Sequence, residues 1–252
     1  MLLLIDAGNT RIKWALAHDD AAPGDWLASG AVLHAELNHL PAQWQAHTSS
    51  RAVVANVAGA KLRDQLQLMI PTTAISWFVS RPYLDGLRNG YRNPAQLGSD
   101  RFAAALGARA LEPGRALVVA TCGTATTIDA ISADGVFLGG MILPGLGLMG
   151  AALAKNTAQL PAIDTTRALP TGFADNTNDA ILSGCLAAQA GAIERAVAQH
   201  GGALCILSGG AARFIAPTLA VPHRLVDNIV LTGLHASAGA SSPATPEGKD
   251  PC

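Results

Sequence analysis

Three short turns in this sequence combine glycine with small hydroxyl or amide side chains, and each follows an apolar run. They are Asp6-Ala7-Gly8-Asn9-Thr10, Thr121-Cys122-Gly123-Thr124 and Ser208-Gly209-Gly210. Turns of this kind bind phosphate, because free backbone N–H groups converge and glycine has no Cβ to block approach. One alone is an ordinary loop. Three in one chain, two of them at corresponding points of similar segments, point to a polyphosphate held between them. Arg11, Ile12 and Lys13 carry the first turn into a strand, and the Lys13 ammonium is suited to meet a β- or γ-phosphate as a point charge. A fourth segment, Gly98-Ser99-Asp100-Arg101, stands at the start of a helical pattern. A carboxylate in a first helical turn is kept ionised by the helix dipole. Such a group orients an alcohol in line with a γ-phosphate and takes its proton late, in a loose transition state. Beside turns suited to phosphate, the chemistry such a group could serve is phosphoryl transfer to an alcohol; an acidic residue at this place also simply favours a helix N-terminus. Tyr91 lies in the polar loop before it and is suited to cover the apolar stem of a ligand.

The elements that must hold these turns read as two similar halves. Residues 2–6 form an apolar strand, and Arg11–Ala17 alternates with period two, so 2–17 is a hairpin. In the same way 116–120 runs through the second turn into Ala125–Ile131, and Ala133-Asp134-Gly135 turns into a third strand over 136–143. In the first half a strand over 51–57, a helix at Ala60–Met69 and a strand over 74–79 follow. A Gly-, Asn- and Pro-rich loop covers 81–98, and Ser99 is expected to cap a helix at Ser99–Leu111. In the second half, helices are expected over 146–154 and 178–199, and a buried strand over 203–207. From His235 onward the chain is rich in Ala, Ser, Gly and Pro and reads as disordered. Halves at 1–113 and 114–238, with a tail at 239–252, give a duplicated α/β architecture with mixed sheets and a ligand cleft between them.

Composition removes other classes. The chain has 252 residues, 50% of them hydrophobic, enough for a sizeable core. Charged residues are 14% and the formal net charge is −1, which argues against nucleic acid or a membrane as a partner. The apolar N-terminal run is too short for a signal peptide, and no stretch reaches the ~20 apolar residues of a membrane span. A cytoplasmic location is expected. The four cysteines, Cys122, Cys185, Cys205 and Cys252, form no C-x-x-C pair, so a zinc site is not expected. His223 and His235 lie near no motif and read as structural.

The three turns together resemble the phosphate and adenosine loops of the actin/hexokinase/Hsp70 ATPase superfamily. A narrower set resembles the type III pantothenate kinases. It comprises Asp6-x-Gly8-Asn9-Thr10-Arg11-x-Lys13, Gly98-Ser99-Asp100-Arg101, Thr121-x-Gly123-Thr124-Ala125-Thr126-Thr127-x-Asp129, Gly139-Gly140-Met141-Ile142-Leu143-Pro144-Gly145 and Asn176-Thr177. The resemblance implies a duplicated actin-like (ribonuclease H-like) fold and ATP-dependent phosphorylation of pantothenate, the first step of coenzyme A synthesis. It implies Asp100 as catalytic base and pantothenate contacts from Tyr91, Gly98, Ser99, Arg101 and, across a homodimer, Thr177. It implies ATP contacts from residues 6–13 (Asp6, Ala7, Gly8, Asn9, Thr10, Arg11, Ile12, Lys13) and from Gly123, Thr124, Gly209 and Gly210. Asp6 would hold Mg²⁺ through water. The chain departs from the pattern at Thr121, where many members have an aspartate that binds K⁺ or NH₄⁺. Hard cations prefer charged oxygen ligands, so the monovalent-cation site is expected to be weakened or absent. Two other readings remain open on these residues: a kinase for another small alcohol, and an accessory factor in transcription acting through a protein partner.

Overall fold

The computed structural model describes residues 1–45, 49–157, 160–161, 169–170 and 172–239. Two sheets carry the fold. The first contains β1 (Leu2–Ala7), β2 (Arg11–Ala17), β3 (Ala28–Leu33), β4 (Arg51–Asn56) and β5 (Ile75–Phe78) in the order β3-β2-β1-β4-β5. The second contains β8 (Leu117–Cys122), β9 (Ala125–Ile131), β10 (Val136–Pro144), β11 (Leu204–Ser208) and β12 (His223–Leu225). It adds the short strands β6 (Tyr83–Leu84) and β7 (Leu87–Asn89) at its far edge, giving β12-β11-β8-β9-β10-β7-β6. Read from β10 to β12, the second sheet repeats the order of the first. In each, three antiparallel strands are followed by two parallel ones. Hairpins give the antiparallel part, and helical crossovers give the parallel part.

The helices are α1 (Leu40–Gln45), α2 (Ala60–Met69), α3 (Ser99–Leu111), α4 (Leu146–Asn156), α5 (Thr177–Gln199), α6 (Ala212–Ile215) and α7 (Ile229–Gly239). α3 and α7 lie between the sheets. One core joins Leu2, Leu4 and Val53 of the first sheet to Leu117, Val119 and Ile206 of the second through Phe102, Leu106, Ile229 and Leu234. The two helices cross at glycines: a Cβ on Gly233 would lie 1.7 Å from the Ala103 carbonyl oxygen, and one on Gly107 2.5 Å from that of Ile229. No side chain fits that crossing, so α3 is fixed at backbone-to-backbone range. Outer cores cover the far faces, with Trp44, Leu62 and Leu66 on the first sheet and Ile181, Leu186, Ile193 and Ile215 on the second.

Several sequence expectations need correction. The 81–98 segment is not all loop, since β6, β7 and a short turn at Pro94–Gln96 lie within it. β7 pairs with β10, so this part of the N-terminal half belongs to the second sheet. Ser99 is not the helix cap. Gly98 occupies that position, and no side chain caps it. Residues 235–239 are the last turns of α7 rather than tail, because the helix buries its apolar run between the sheets. The expected disorder of 240–252 lies outside the described residues.

Candidate active site

The first turn sits between β1 and β2, whose register sets Asp6 opposite Lys13 and Ala7 opposite Ile12. The Gly8 amide donates to the Arg11 carbonyl at 3.1 Å and closes the turn. Ala7 and Ile12 are fully buried in the outer core, so only their backbone faces the turn. Asn9, Thr10 and Arg11 are exposed. The second turn, between β8 and β9, meets the first directly, with Thr10 Oγ1 2.7 Å from Thr124 Oγ1. The third turn leans on the second. Gly209 has φ +97°, and a Cβ there would lie 2.4 Å from the Cys122 carbonyl oxygen. The Ala211 amide donates to that same oxygen at 3.0 Å. Gly145 closes the other side, where its amide donates to the Thr124 carbonyl at 2.9 Å and a Cβ would sit 2.1 Å from the Gly123 carbonyl oxygen. The three turns named from sequence therefore converge, packed too closely for side chains at these glycines.

Asp100 stands in the first turn of α3, half-buried. Its Oδ1 accepts from the Arg101 amide at 2.8 Å, and among the described hydrogen bonds Oδ2 has no partner. Gly98 makes room for it, since a Cβ there would lie 2.6 Å from Oδ1. Asp6 is buried, and its nearest cation, Lys13 Nζ, is 3.9 Å away. Burial pushes the Asp6 carboxyl up to about 6; Lys13 opposes the shift, and the Asp100 charge adds to it.

Arg101 does not pair with Asp6. It is buried, and its Nε and Nη2 donate to Asp129 on β9, the Nε bonds at 3.1 and 3.2 Å. Its Nη1 donates to the Tyr91 hydroxyl at 2.7 Å. Burial alone would lower the guanidinium pKa, but the Asp129 hydrogen bonds and charge outweigh it and raise it. Tyr91 also packs edge-on against Phe137, with ring centroids 5.6 Å apart.

Thr121 is partly buried in β8, opposite Thr127 and Ser208. Thr177 is exposed at the N-terminus of α5, where Asn176 caps the helix. A cavity of about 530 Å³ opens there, lined in part by Asp175, Thr177 and Ile181. Among the described contacts none links Thr177 to the Asp100 cluster in the same chain. Two residues escaped sequence reasoning. Asp129 was seen only as the end of a motif, and its partner is distant in sequence. His34 Nε2 donates to the Gly8 carbonyl at 2.8 Å and braces the first turn; no local pattern marks it.

Duplicated sheets of the same strand order, with Gly-containing turns meeting where Thr10 faces Thr124, define a protein of the actin-like ATPase class. Solved structures agree on the fold. A protein described as a Baf family transcriptional activator from Campylobacter jejuni aligns with TM-score 0.58 at 20% identity, covering 92% of this chain and 94% of its own. The activator of the 2-hydroxyisocaproyl-CoA dehydratase from Clostridium difficile, with bound ADPNP, aligns with TM-score 0.53 at 12% identity over 94% and 92%. The family model for type III pantothenate kinase matches residues 2–199. A type III pantothenate kinase of Herminiimonas arsenicoxydans is 56% identical over 94% of this chain and 97% of its own length, and one of Aromatoleum aromaticum is 49% identical over 93% and 96%. The chain belongs to the type III pantothenate kinase family.

Proposed function

We propose that this enzyme transfers the γ-phosphate of ATP to the primary hydroxyl of pantothenate, the first step of coenzyme A biosynthesis, with Asp100 as catalytic base. The observation that carries the reading is the direct meeting of the first two turns at Thr10 and Thr124, together with a half-buried Asp100 that has one free carboxylate oxygen and whose charge reaches Asp6 of the first turn. The amides of Gly8 and Gly123 close their own turns, so the backbone N–H groups of Asn9, Thr10 and Thr124, with no acceptor among the described bonds, hold the phosphates, and Gly209 and Gly210 receive the adenosine. Lys13 is tethered to Asp6 only at long range and is available to the γ-phosphate. Asp6 suits Mg²⁺ held through water, because its buried carboxylate meets no hydrogen-bond donor among the described residues. A Mg²⁺ held by Asp6 would supply charge neutralisation to the phosphates. Asp100 Oδ2 accepts the pantothenate hydroxyl, aligns it with the phosphorus and takes its proton as the bond forms. Tyr91, Gly98, Ser99 and Arg101 line the acceptor side.

The same reading extends to three finer points. Thr121 offers a hydroxyl and a carbonyl but no charge, so the K⁺ or NH₄⁺ site is weak or absent. Exposed Leu138, Ile142, Leu148 and Phe173, with a stripe of exposed small residues at Gly184, Ala187, Ala188 and Gly191 of α5, suit a homodimer interface. Thr177 would then serve the partner's pantothenate site. No described helix is long and apolar enough to cross a membrane, and the unpaired, buried Cys122, Cys185 and Cys205 suit a reducing compartment such as the cytoplasm. The test is ADP release from MgATP with pantothenate, with other small alcohols and with neither, each with and without KCl. Release that requires pantothenate and changes little with KCl supports the reading. Release with another alcohol alone overturns the substrate, and a several-fold rise with KCl overturns the Thr121 argument.

A further inference from the structure

We infer that Asp129 is a positioning residue for the acceptor side of the site, acting through Arg101 on Tyr91 and on the first turn of α3; this rests on the proposed reaction. Asp129 lies in β9, opposite Val119 on one side and Gly140 on the other. Its side chain is 2% exposed and that of Arg101 8%. A carboxylate taken that far out of water needs a charged, hydrogen-bonded partner, and Arg101 is the one described. The pair is held in a slot built for it. A Cβ on Gly140 would fall 2.0 Å from Asp129 Oδ1 and 2.6 Å from Arg101 Nη2, so no residue but glycine leaves the fork intact.

Two consequences follow for the reacting groups. Arg101 directly follows Asp100, and Asp100 Oδ1 accepts from the Arg101 amide. Fixing the Arg101 side chain therefore fixes the backbone that aims the Asp100 carboxylate. Arg101 Nη1 also donates to the Tyr91 oxygen. With its oxygen already accepting, Tyr91 has its hydroxyl proton free to donate outward, toward an acceptor atom of the bound substrate. Asp129 balances the guanidinium charge, so Arg101 serves this geometry rather than acting as the sole counter-ion of a substrate carboxylate. Burial raises Asp129 to about 6, against the pull of Arg101 and with a further push from Asp100.

The test is Asp129→Asn with its kinetics and its coupling to Tyr91→Phe. Displacing the acceptor side by about 1 Å costs on the order of 100-fold, so kcat/KM for pantothenate should fall by about that factor while KM for ATP stays within about two-fold. Tyr91→Phe alone should cost about ten-fold, the equivalent of one hydrogen bond, and almost nothing further in the Asp129→Asn background. Arg101→Lys keeps the charge but not the fork, and should reproduce the pantothenate loss if Asp129→Asn does not fold. Unchanged pantothenate kinetics, a parallel rise in KM for ATP, or losses from Asp129→Asn and Tyr91→Phe that multiply would each overturn the assignment. Hydrogen exchange separates this from failure of the reaction itself. If the wild type does not turn over pantothenate, faster exchange confined to residues 99–103 in Asp129→Asn still supports positioning, and an unchanged pattern overturns it.

Discussion

Replacing Asp6 by asparagine should make the folded protein more stable and nearly inactive. Asp6 is buried, and burial moves its carboxyl from the usual 3.8 to about 6. The folded state therefore holds the ionised form at a disadvantage. At about 1.4 kcal/mol for each pH unit, that difference amounts to about 3 kcal/mol above neutrality. Asparagine keeps the shape and removes the charge. The attraction of Lys13 is already contained in that net shift; the gain will be smaller, about 1–3 kcal/mol, because the asparagine amide is itself buried without a hydrogen-bond partner. For a chain of this size that is a rise in Tm of about 3–10 °C. The pH dependence has a definite sign. Below about pH 4 Asp6 is protonated in both folded and unfolded chains, so the advantage of asparagine vanishes. It grows between about 4 and 6, where the folded state binds the extra proton, and is complete above 6. Thermal unfolding of both proteins at pH 4.5 and 8, with and without MgATP, reads this directly. The variant should lead at pH 8, lose most of its lead at pH 4.5, and gain little from MgATP. A variant less stable than wild type at pH 8, or a lead equal at both pH values, would refute the reasoning.

Other consequences follow from the same geometry. Gly209→Ala forces a Cβ into a left-handed turn against the Cys122 carbonyl. It should cost about 2–5 kcal/mol, from about 1–2 for the conformation and 1–3 for the overlap, and should raise KM for ATP far more than KM for pantothenate. Ile142→Glu changes a side chain that is 64% exposed. It should leave the unfolding of a lone chain within about 0.5 kcal/mol yet convert a dimer to a monomer by light scattering. A wild type that is already monomeric, or a variant that stays dimeric, contradicts the proposed interface.

The sequence carries the local elements well. Strands Arg11–Ala17 and Ala125–Ile131 and helices Ala60–Met69 and Ser99–Leu111 fall at the bounds that alternation and helical spacing indicate. Period and turn chemistry are properties of neighbouring residues: α2 keeps a wet face around Leu62 and Leu66, and α3, buried from Arg101 to Ala108, is marked instead by the polar Ser99-Asp100-Arg101 start before its Ala-rich run. α7 escaped because its residues 229–235 are buried all round, so it has no polar stripe to betray a helix. β6 and β7 escaped because such short strands exist only through pairing, β7 with β10 and β6 with β7. The site divides in the same way. The three turns and Asp100 were legible because each is a contiguous motif. The Asp129 partner of Arg101 and the His34 brace on Gly8 depend on which strands lie side by side, and local spacing does not encode that.

The central claim is that Asp100 is the base for phosphoryl transfer to pantothenate. The most direct test compares Asp100→Asn with wild type in pantothenate-dependent ADP release, alongside the MgATP dissociation constant. The account predicts a fall in turnover of about 10²–10⁴-fold, with MgATP affinity essentially unchanged. Turnover kept within about ten-fold of wild type would contradict it.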